Sequence, residues 1–100
     1  MSISATPSDS GNEVTISVNG RFDFSLHKDF RDAYRNQSPS AKYIIDMSDT
    51  DYMDSSALGM LLLLREHAGG DKSDIVITGC QPDIKKILTI SNFQKLFTIN

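Results

Sequence analysis

The chain has 100 residues, a formal net charge of −3 and 39% hydrophobic residues, which suffices for one small core without crosslinks. No stretch approaches the roughly 20 apolar residues of a membrane span, and the acidic balance argues against nucleic-acid binding, which needs a basic face. A single cysteine cannot form an internal disulfide, and no secretory signal opens the chain. We therefore expect one cytoplasmic domain over residues 1–100, with no membrane span and no nucleic-acid partner.

The first 20 residues predict a β-hairpin. Apolar and polar residues alternate over 14–18, which is typical of a half-buried strand, and Asn19-Gly20 ends that pattern. An edge strand at 3–5 precedes it, and the polar residues 9–12 form the expected turn. We expect these two strands to pair antiparallel.

Helix and strand patterns then alternate to the end of the chain. Ser25 is a candidate N-cap for a first helix of about ten residues, and Pro82 suits the first turn of a third. The second helix is expected from about Ser56 to Ala68. Short strands are expected at 43–47, 75–77 and 97–99. Strands that alternate with helices imply parallel pairing through right-handed crossovers, so the predicted class is α/β with a mixed sheet.

Acidic and hydroxyl residues are concentrated between the strand at 43–47 and the second helix. Two adjacent serines, Ser55 and Ser56, follow four aspartates: Asp46, Asp49, Asp51 and Asp54. One interpretation is helix capping, in which Asp54 or Ser55 accepts a free backbone N–H. The other is a phosphoacceptor serine, because a phosphoryl group at a helix N-terminus meets free N–H donors and the positive end of the dipole.

Three motifs stand in register along the chain: GRFD at 20–23, MDSSALG at 53–59 and SNFQKLFTI at 91–99. They resemble the G-R-L-D, M/I-D-S-S/T-G/A-L-G and S-G-L-x-x-L-F-x-I patterns of STAS domains of the anti-sigma factor antagonist type. The resemblance covers essentially the whole chain. It implies the STAS (SpoIIAA-like) fold, a β/α superhelix with a mixed, mostly parallel sheet and an antiparallel N-terminal edge strand.

The resemblance also implies a phosphorylation-switched binding role without enzyme activity. Family antagonists bind a serine-kinase anti-sigma factor, which phosphorylates the hydroxyl residue before G/A-L-G, here Ser56. Phosphorylation releases the kinase, so that it can hold its sigma factor again. A PP2C-like phosphatase, carried in some relatives by a response regulator, restores binding. By the same match Asp23 lies beside the phosphoacceptor, Ser55 is the neighbouring structural serine, and Asp54 supports the site as a cap.

Projection of the second helix at 100° per residue separates an inner face from an outer one. The predicted inner residues are Ala57, Leu61, Leu64 and Ala68. Leu62 and Leu63 flank the outer face near Ser56, unless the first or third helix covers them. The predicted partner-binding residues share proximity to Ser56 and are Phe24, Ala57, Gly59, Leu62 and Leu63.

Two other functions remain as alternatives. Some domains that resemble this family are scaffold subunits of lipid-transport or stressosome-type assemblies. A serine hydrolase would need a G-x-S-x-G elbow and a partnered histidine, which the serine pair does not have. We expect no catalytic residue, cofactor or metal site, because His27, His67 and Cys80 lack metal-ligand spacing. The two histidines are expected at the surface, and the cysteine in the core.

Overall fold

The computed structural model describes residues 2–100. Seven strands form within them: β1 (Ile3–Pro7), β2 (Glu13–Val18), β3 (Gly20–Phe22), β4 (Lys42–Asp46), β5 (Thr50–Met53), β6 (Ile75–Thr78) and β7 (Thr98–Ile99). The helices are α1 (His27–Tyr34), α2 (Ser55–His67) and α3 (Pro82–Ile90), and short 3₁₀ turns cover Phe24–Leu26, Gly70–Lys72 and Phe93–Lys95. The alternating order of strands and helices confirms the predicted α/β class.

Five strands form the main sheet, in the order β1-β2-β4-β6-β7. β1 pairs antiparallel with β2, as the hairpin pattern predicts, and every other neighbouring pair in this sheet is parallel. The core lies on one face of the sheet, because paired residues of the central strands are buried together. Ile16, Ile45 and Ile77 form one such row and are fully buried.

A second, two-stranded sheet joins β3 and β5 in parallel. Neither strand is predicted from the sequence, where both segments read as connections. Thr50 of β5, a completely buried polar residue, links this sheet to the main one, because its Oγ1 donates to the carbonyl of Val18 in β2 over 2.6 Å. This hydrogen bond lets a hydroxyl be buried, because an unpaired one would carry a desolvation cost.

The first helix begins differently from the prediction. Ser25 is not its N-cap: Asp23 caps the 3₁₀ turn before it by accepting from the Ser25 N–H, and the N-cap of α1 itself is Leu26, which makes no side-chain cap bond. A 3₁₀ turn over Phe24–Leu26 precedes α1, which has eight residues. Phe30 and Tyr34 are buried, as the apolar spacing predicts. The side-chain cap therefore lies two residues before Ser25, at the start of the 3₁₀ turn.

Candidate functional site

The candidate site begins where β5 ends and α2 begins. Asp54 has an extended backbone and caps α2. Its Oδ1 accepts from the N–H groups of Ser56 (3.0 Å) and Ala57 (3.3 Å) and from the Ser56 hydroxyl (2.5 Å). Two of the free helix donors are therefore satisfied by one carboxylate. The capping interpretation holds for Asp54, and the same contacts orient the hydroxyl predicted as phosphoacceptor.

The parallel pairing of β3 and β5 brings a second aspartate to the same edge. Phe22 pairs with Met53, so Asp23 and Asp54 follow at adjacent strand ends. Asp23 Oδ1 accepts from the N–H (3.0 Å) and the hydroxyl (2.5 Å) of Ser25. These hydrogen bonds from Ser25, with a smaller contribution from Arg21, hold the pKa of Asp23 below its usual value. The structure thus places Asp23 at the end of the strand that pairs with the one leading to Ser56.

An arginine that the sequence analysis did not single out lies on the outer side of this small sheet. The Arg21 guanidinium is 3.8 Å from the centroid of the Tyr52 ring, and its Nε is 3.5 Å from Asp23 Oδ2. The two strands of this sheet are therefore also joined by a cation–π contact between their side chains. The arginine of the GRFD motif was the available signal, but its partner Tyr52 depends on a pairing that the sequence does not reveal.

The outer face of α2 is apolar and largely uncovered. Leu63 is 52% exposed and Leu62 is 39% exposed. Gly59 is exposed between them and the half-buried Ser56. The predicted inner residues are buried: Ala57, Leu61, Leu64 and Ala68. Both leucines stay exposed, although Leu63 also lines a crevice beside α1, so an apolar stripe runs along α2 from the serine.

Ala57 corrects one part of the predicted partner-binding set. It is 0% exposed, because it follows Ser56 by 100° around the helix and turns into the core. It therefore offers no surface to a partner. We call the remaining four residues, Phe24, Gly59, Leu62 and Leu63, the α2 patch.

Phe24 belongs to this surface through the start of α1. It is 68% exposed and stacks on His27, with ring centroids 5.2 Å apart. His27 and Leu63 line the same crevice between α1 and α2. An exposed phenylalanine and two exposed leucines on one side of a small domain are typical of an interaction surface.

Cys80 and His67, which were considered as possible metal ligands, are held by packing and hydrogen bonds. Burial raises the pKa of the half-buried Cys80 thiol, which packs against the core as predicted. His67, which is predicted at the surface, is half-buried instead, and its Nε2 is 3.1 Å from the Gln37 carbonyl and 3.2 Å from the Tyr43 hydroxyl. Within residues 2–100 no three His, Cys, Asp or Glu side chains gather as a metal site would require, and no helix is long and apolar enough to cross a membrane.

The sequence comparisons identify the family. A family model described as "Mlab, STAS domain" matches residues 5–98. A STAS-domain containing protein of Pseudomonas aeruginosa (strain UCBPP-PA14) is 52% identical over 101 residues, covering 100% of each chain. The chain belongs to the STAS domain family. The predicted membership of the STAS family is thereby confirmed.

Solved structures show the same fold as this STAS domain. The anti-sigma factor antagonist SpoIIAA in its unphosphorylated form has a TM-score of 0.78 at 16% identity, over 98% of this chain and 87% of that one. An anti-sigma factor antagonist from Mycobacterium paratuberculosis has a TM-score of 0.75 at 20% identity, over 98% and 85%. The SpoIIAA-like fold, with its antiparallel edge strand, is confirmed.

Proposed function

We propose that this STAS domain is an anti-sigma factor antagonist, which binds a serine-kinase anti-sigma factor while Ser56 is unphosphorylated. The observation that carries the proposal is the Ser56 hydroxyl, half-buried in the first turn of α2, held by Asp54 and next to the α2 patch. The fold shared with SpoIIAA, whose structure is described in an unphosphorylated form, supports it. The chain acts as one cytoplasmic STAS domain over residues 1–100, as a kinase substrate and not an enzyme.

Phosphorylation at this position would change both charge and hydrogen bonding. A phosphoryl group adds about −2 to the net charge of −3, and it replaces the hydroxyl proton donated to Asp54. The new charge stands at the end of an apolar stripe formed by Leu62 and Leu63. A partner that packs on those leucines would have to desolvate the phosphate, so the complex is lost.

Reversal of the switch requires a phosphatase that can reach the phosphorylated hydroxyl of Ser56. Ser56 remains half-buried, and Gly59 places no side chain over it. The enzyme class that the family resemblance implies is a PP2C-like serine phosphatase, which in some relatives is part of a response regulator. Removal of the phosphate restores the Asp54 contact and the apolar surface together.

One comparison favours a second candidate function. The matching family model is described as "Mlab, STAS domain" and not as an antagonist. In this second function the α2 patch holds the chain as a scaffold subunit in a lipid-transport or stressosome-type assembly. The patch is the same in both cases, and the role of Ser56 phosphorylation separates them.

The decisive experiment combines mass spectrometry with affinity purification from the native cells. Tagged chains carrying Ser56→Ala and Ser56→Asp are purified, and the co-purified proteins are quantified. We expect phosphate on Ser56 of the unsubstituted chain, a serine-kinase anti-sigma factor with Ser56→Ala, and at least about a tenfold loss of that partner with Ser56→Asp. A transporter or stressosome subunit that binds both variants equally would establish the scaffold function instead.

Two matched variants control for position and for charge alone. Ser55→Ala leaves the adjacent α2 serine intact as the acceptor and should remain phosphorylated. Ser40→Asp adds the same charge in the exposed connection before β4 and should keep the partner. Loss of the partner with Ser40→Asp as well would contradict a local switch at Ser56.

A further inference from the structure

The hydrogen bonds between β1 and β2 define which backbone groups of β1 are free. The Asn19 N–H donates to the Ser2 carbonyl (2.8 Å), and the Ser8 N–H donates to the Glu13 carbonyl (2.7 Å). Antiparallel strands exchange such bonds at every second residue. The even-numbered residues of β1 therefore bond to β2, and the odd-numbered ones point their N–H and C=O groups away from it.

These outward groups lie on an open sheet edge. β1 is the outermost strand of the main sheet, so the N–H and C=O of Ile3 and of Ala5 face no neighbouring strand. Pro7 has no N–H and limits further pairing at that end. Lysine, which commonly protects exposed edges, is absent from Ile3–Pro7. Ala5 is exposed, whereas Ile3 is only 5% exposed, so an added strand would pair mainly at Ala5.

An open cavity of about 270 Å³ adjoins the same two residues. It is lined by Ile3 and Ala5 of β1 and by three residues of α1: Asp29, Asp32 and Ala33. In an added strand, a residue opposite Ile3 or Ala5 has its side chain on their face of the sheet. That face is the one that looks toward α1, so one long side chain of the added strand would enter the cavity.

The charged residues that line the cavity determine which kind of side chain of the added strand would fit there. The Asp32 carboxylate already forms ion pairs with Lys28 Nζ (2.9 Å) and Arg35 Nε (3.4 Å). Asp29, which is exposed, makes no ion pair and no side-chain hydrogen bond within residues 2–100. An ammonium or guanidinium group would complement it, whereas an acidic side chain would be repelled.

We propose that the β1 edge and this cavity form a docking site for an extended partner segment that carries a lysine or arginine. Backbone hydrogen bonds, mainly at Ala5, supply affinity, and the pairing of the cation with Asp29 supplies specificity. A second copy of the chain is a poorer occupant, because its own β1, Ile3–Pro7, contains no basic residue. The site lies apart from the α2 patch and does not depend on Ser56.

The test uses the full chain, labelled with ¹⁵N, and synthetic peptides of sequence Thr-Val-Lys-Val-Thr or Thr-Val-Glu-Val-Thr. In NMR titrations we expect the lysine peptide to shift the amide signals of Ile3 and Ala5, and to bind at least about tenfold more tightly than the glutamate peptide. Asp29→Asn should remove this preference, while Asp9→Asn, in the exposed β1–β2 turn, should keep it.

Two further variants test the two parts of the site separately. Ala5→Pro removes one outward N–H without touching a bond to β2 and should weaken the lysine peptide about tenfold. Ala33→Leu fills the cavity from α1 and should abolish the lysine preference. Equal binding of both peptides, or shifts confined to α2, would overturn the proposal. So would a chain dimer, seen by sedimentation, that Ala5→Pro dissociates, since the edge would then be occupied by a second copy.

Discussion

Asp23 and Asp54 hold the same arrangement at the ends of two paired strands. Their backbones are extended, with φ/ψ of −130°/−173° and −126°/−175°. In each, Oδ1 accepts from both the N–H and the hydroxyl of the serine two residues later. Only the turn at Asp54 leads directly into an α-helix, because a 3₁₀ turn follows Asp23. The same pair of hydrogen bonds also joins Ser48 to Asp46 at the end of β4, and the copy that precedes α2 carries the proposed switch.

The cap at Asp54 should contribute measurably to stability. Replacing it by alanine leaves the N–H groups of Ser56 and Ala57 without their acceptor, so we expect Asp54→Ala to lower the free energy of unfolding by about 1–2 kcal/mol. Urea denaturation measures the change. Asp54→Asn keeps a capping oxygen and should lose much less. Equal losses for the two variants would show that the charge, and not the cap, stabilises this turn.

The pKa of Asp23 provides a pH test of the neighbouring turn. Because hydrogen bonds from Ser25 favour the carboxylate, the pKa is lowered from 3.8, the value taken for the unfolded chain. Asp23 therefore contributes its stabilisation fully above pH 3.8, and this contribution is lost as the pH falls through the folded-state pKa. A ¹³C-detected carboxyl titration should give a midpoint below 3.8.

The matched variant for that titration is Ser25→Ala. It removes the hydroxyl donor, the largest cause of the shift, while the backbone N–H remains. The Asp23 midpoint should then move up toward 3.8. An unchanged midpoint would mean that the remaining contacts, the Ser25 N–H and Arg21, whose Nε lies 3.5 Å away, control the pKa of the carboxylate instead.

The sequence predicted the elements that have strong local patterns. The hairpin, the central strands and the three helices carry an apolar period of their own, and the structure confirms their order. β3 and β5 lack such a period: Gly20–Phe22 has three residues, and Thr50–Met53 is buried only at its two ends. Their placement depends on long-range contacts, such as the Gly20 N–H with the Asp49 carbonyl and Thr50 with Val18 of β2, which no local pattern contains.

In the candidate site, too, the features set by local sequence were predicted and those set by long-range contacts were not. Helix geometry predicted a cap at Asp54 or Ser55 and an outer position for Leu62 and Leu63, and only the structure decides between the two caps and shows that the leucines are exposed. The partners of His67 do not follow from helix geometry, because the Gln37 carbonyl and the Tyr43 hydroxyl reach it from 30 and 24 residues away. Ala57 failed as a contact residue because its motif position suggested proximity to Ser56, whereas the helix turns its methyl group inward.

Gly79 is required by both its backbone and its surroundings. Its φ is +74°, and a Cβ built there would lie 2.9 Å from Ser48 Cβ and 3.1 Å from the Ser48 backbone. We expect Gly79→Ala to lower the free energy of unfolding by about 2 kcal/mol or more. Gly11→Ala is the matched control, because Gly11 has a φ of +75° and nothing within 4 Å. Equal losses at the two positions would show that the close approach to Ser48 costs nothing beyond the backbone strain.

Gly59 allows stability and binding to be separated within α2. It lies inside the helix, a Cβ there would meet nothing within 4 Å, and it is exposed between Ser56 and Leu63. Gly59→Ala should therefore raise the free energy of unfolding by about 0.5–1 kcal/mol, since alanine is the better helix former. The same methyl group projects into the α2 patch and should weaken the partner that co-purifies with Ser56→Ala. Urea denaturation and titration with that partner measure the two effects on one variant. A more stable chain with unchanged affinity would remove Gly59 from the binding surface, because its methyl group would then face solvent in the complex.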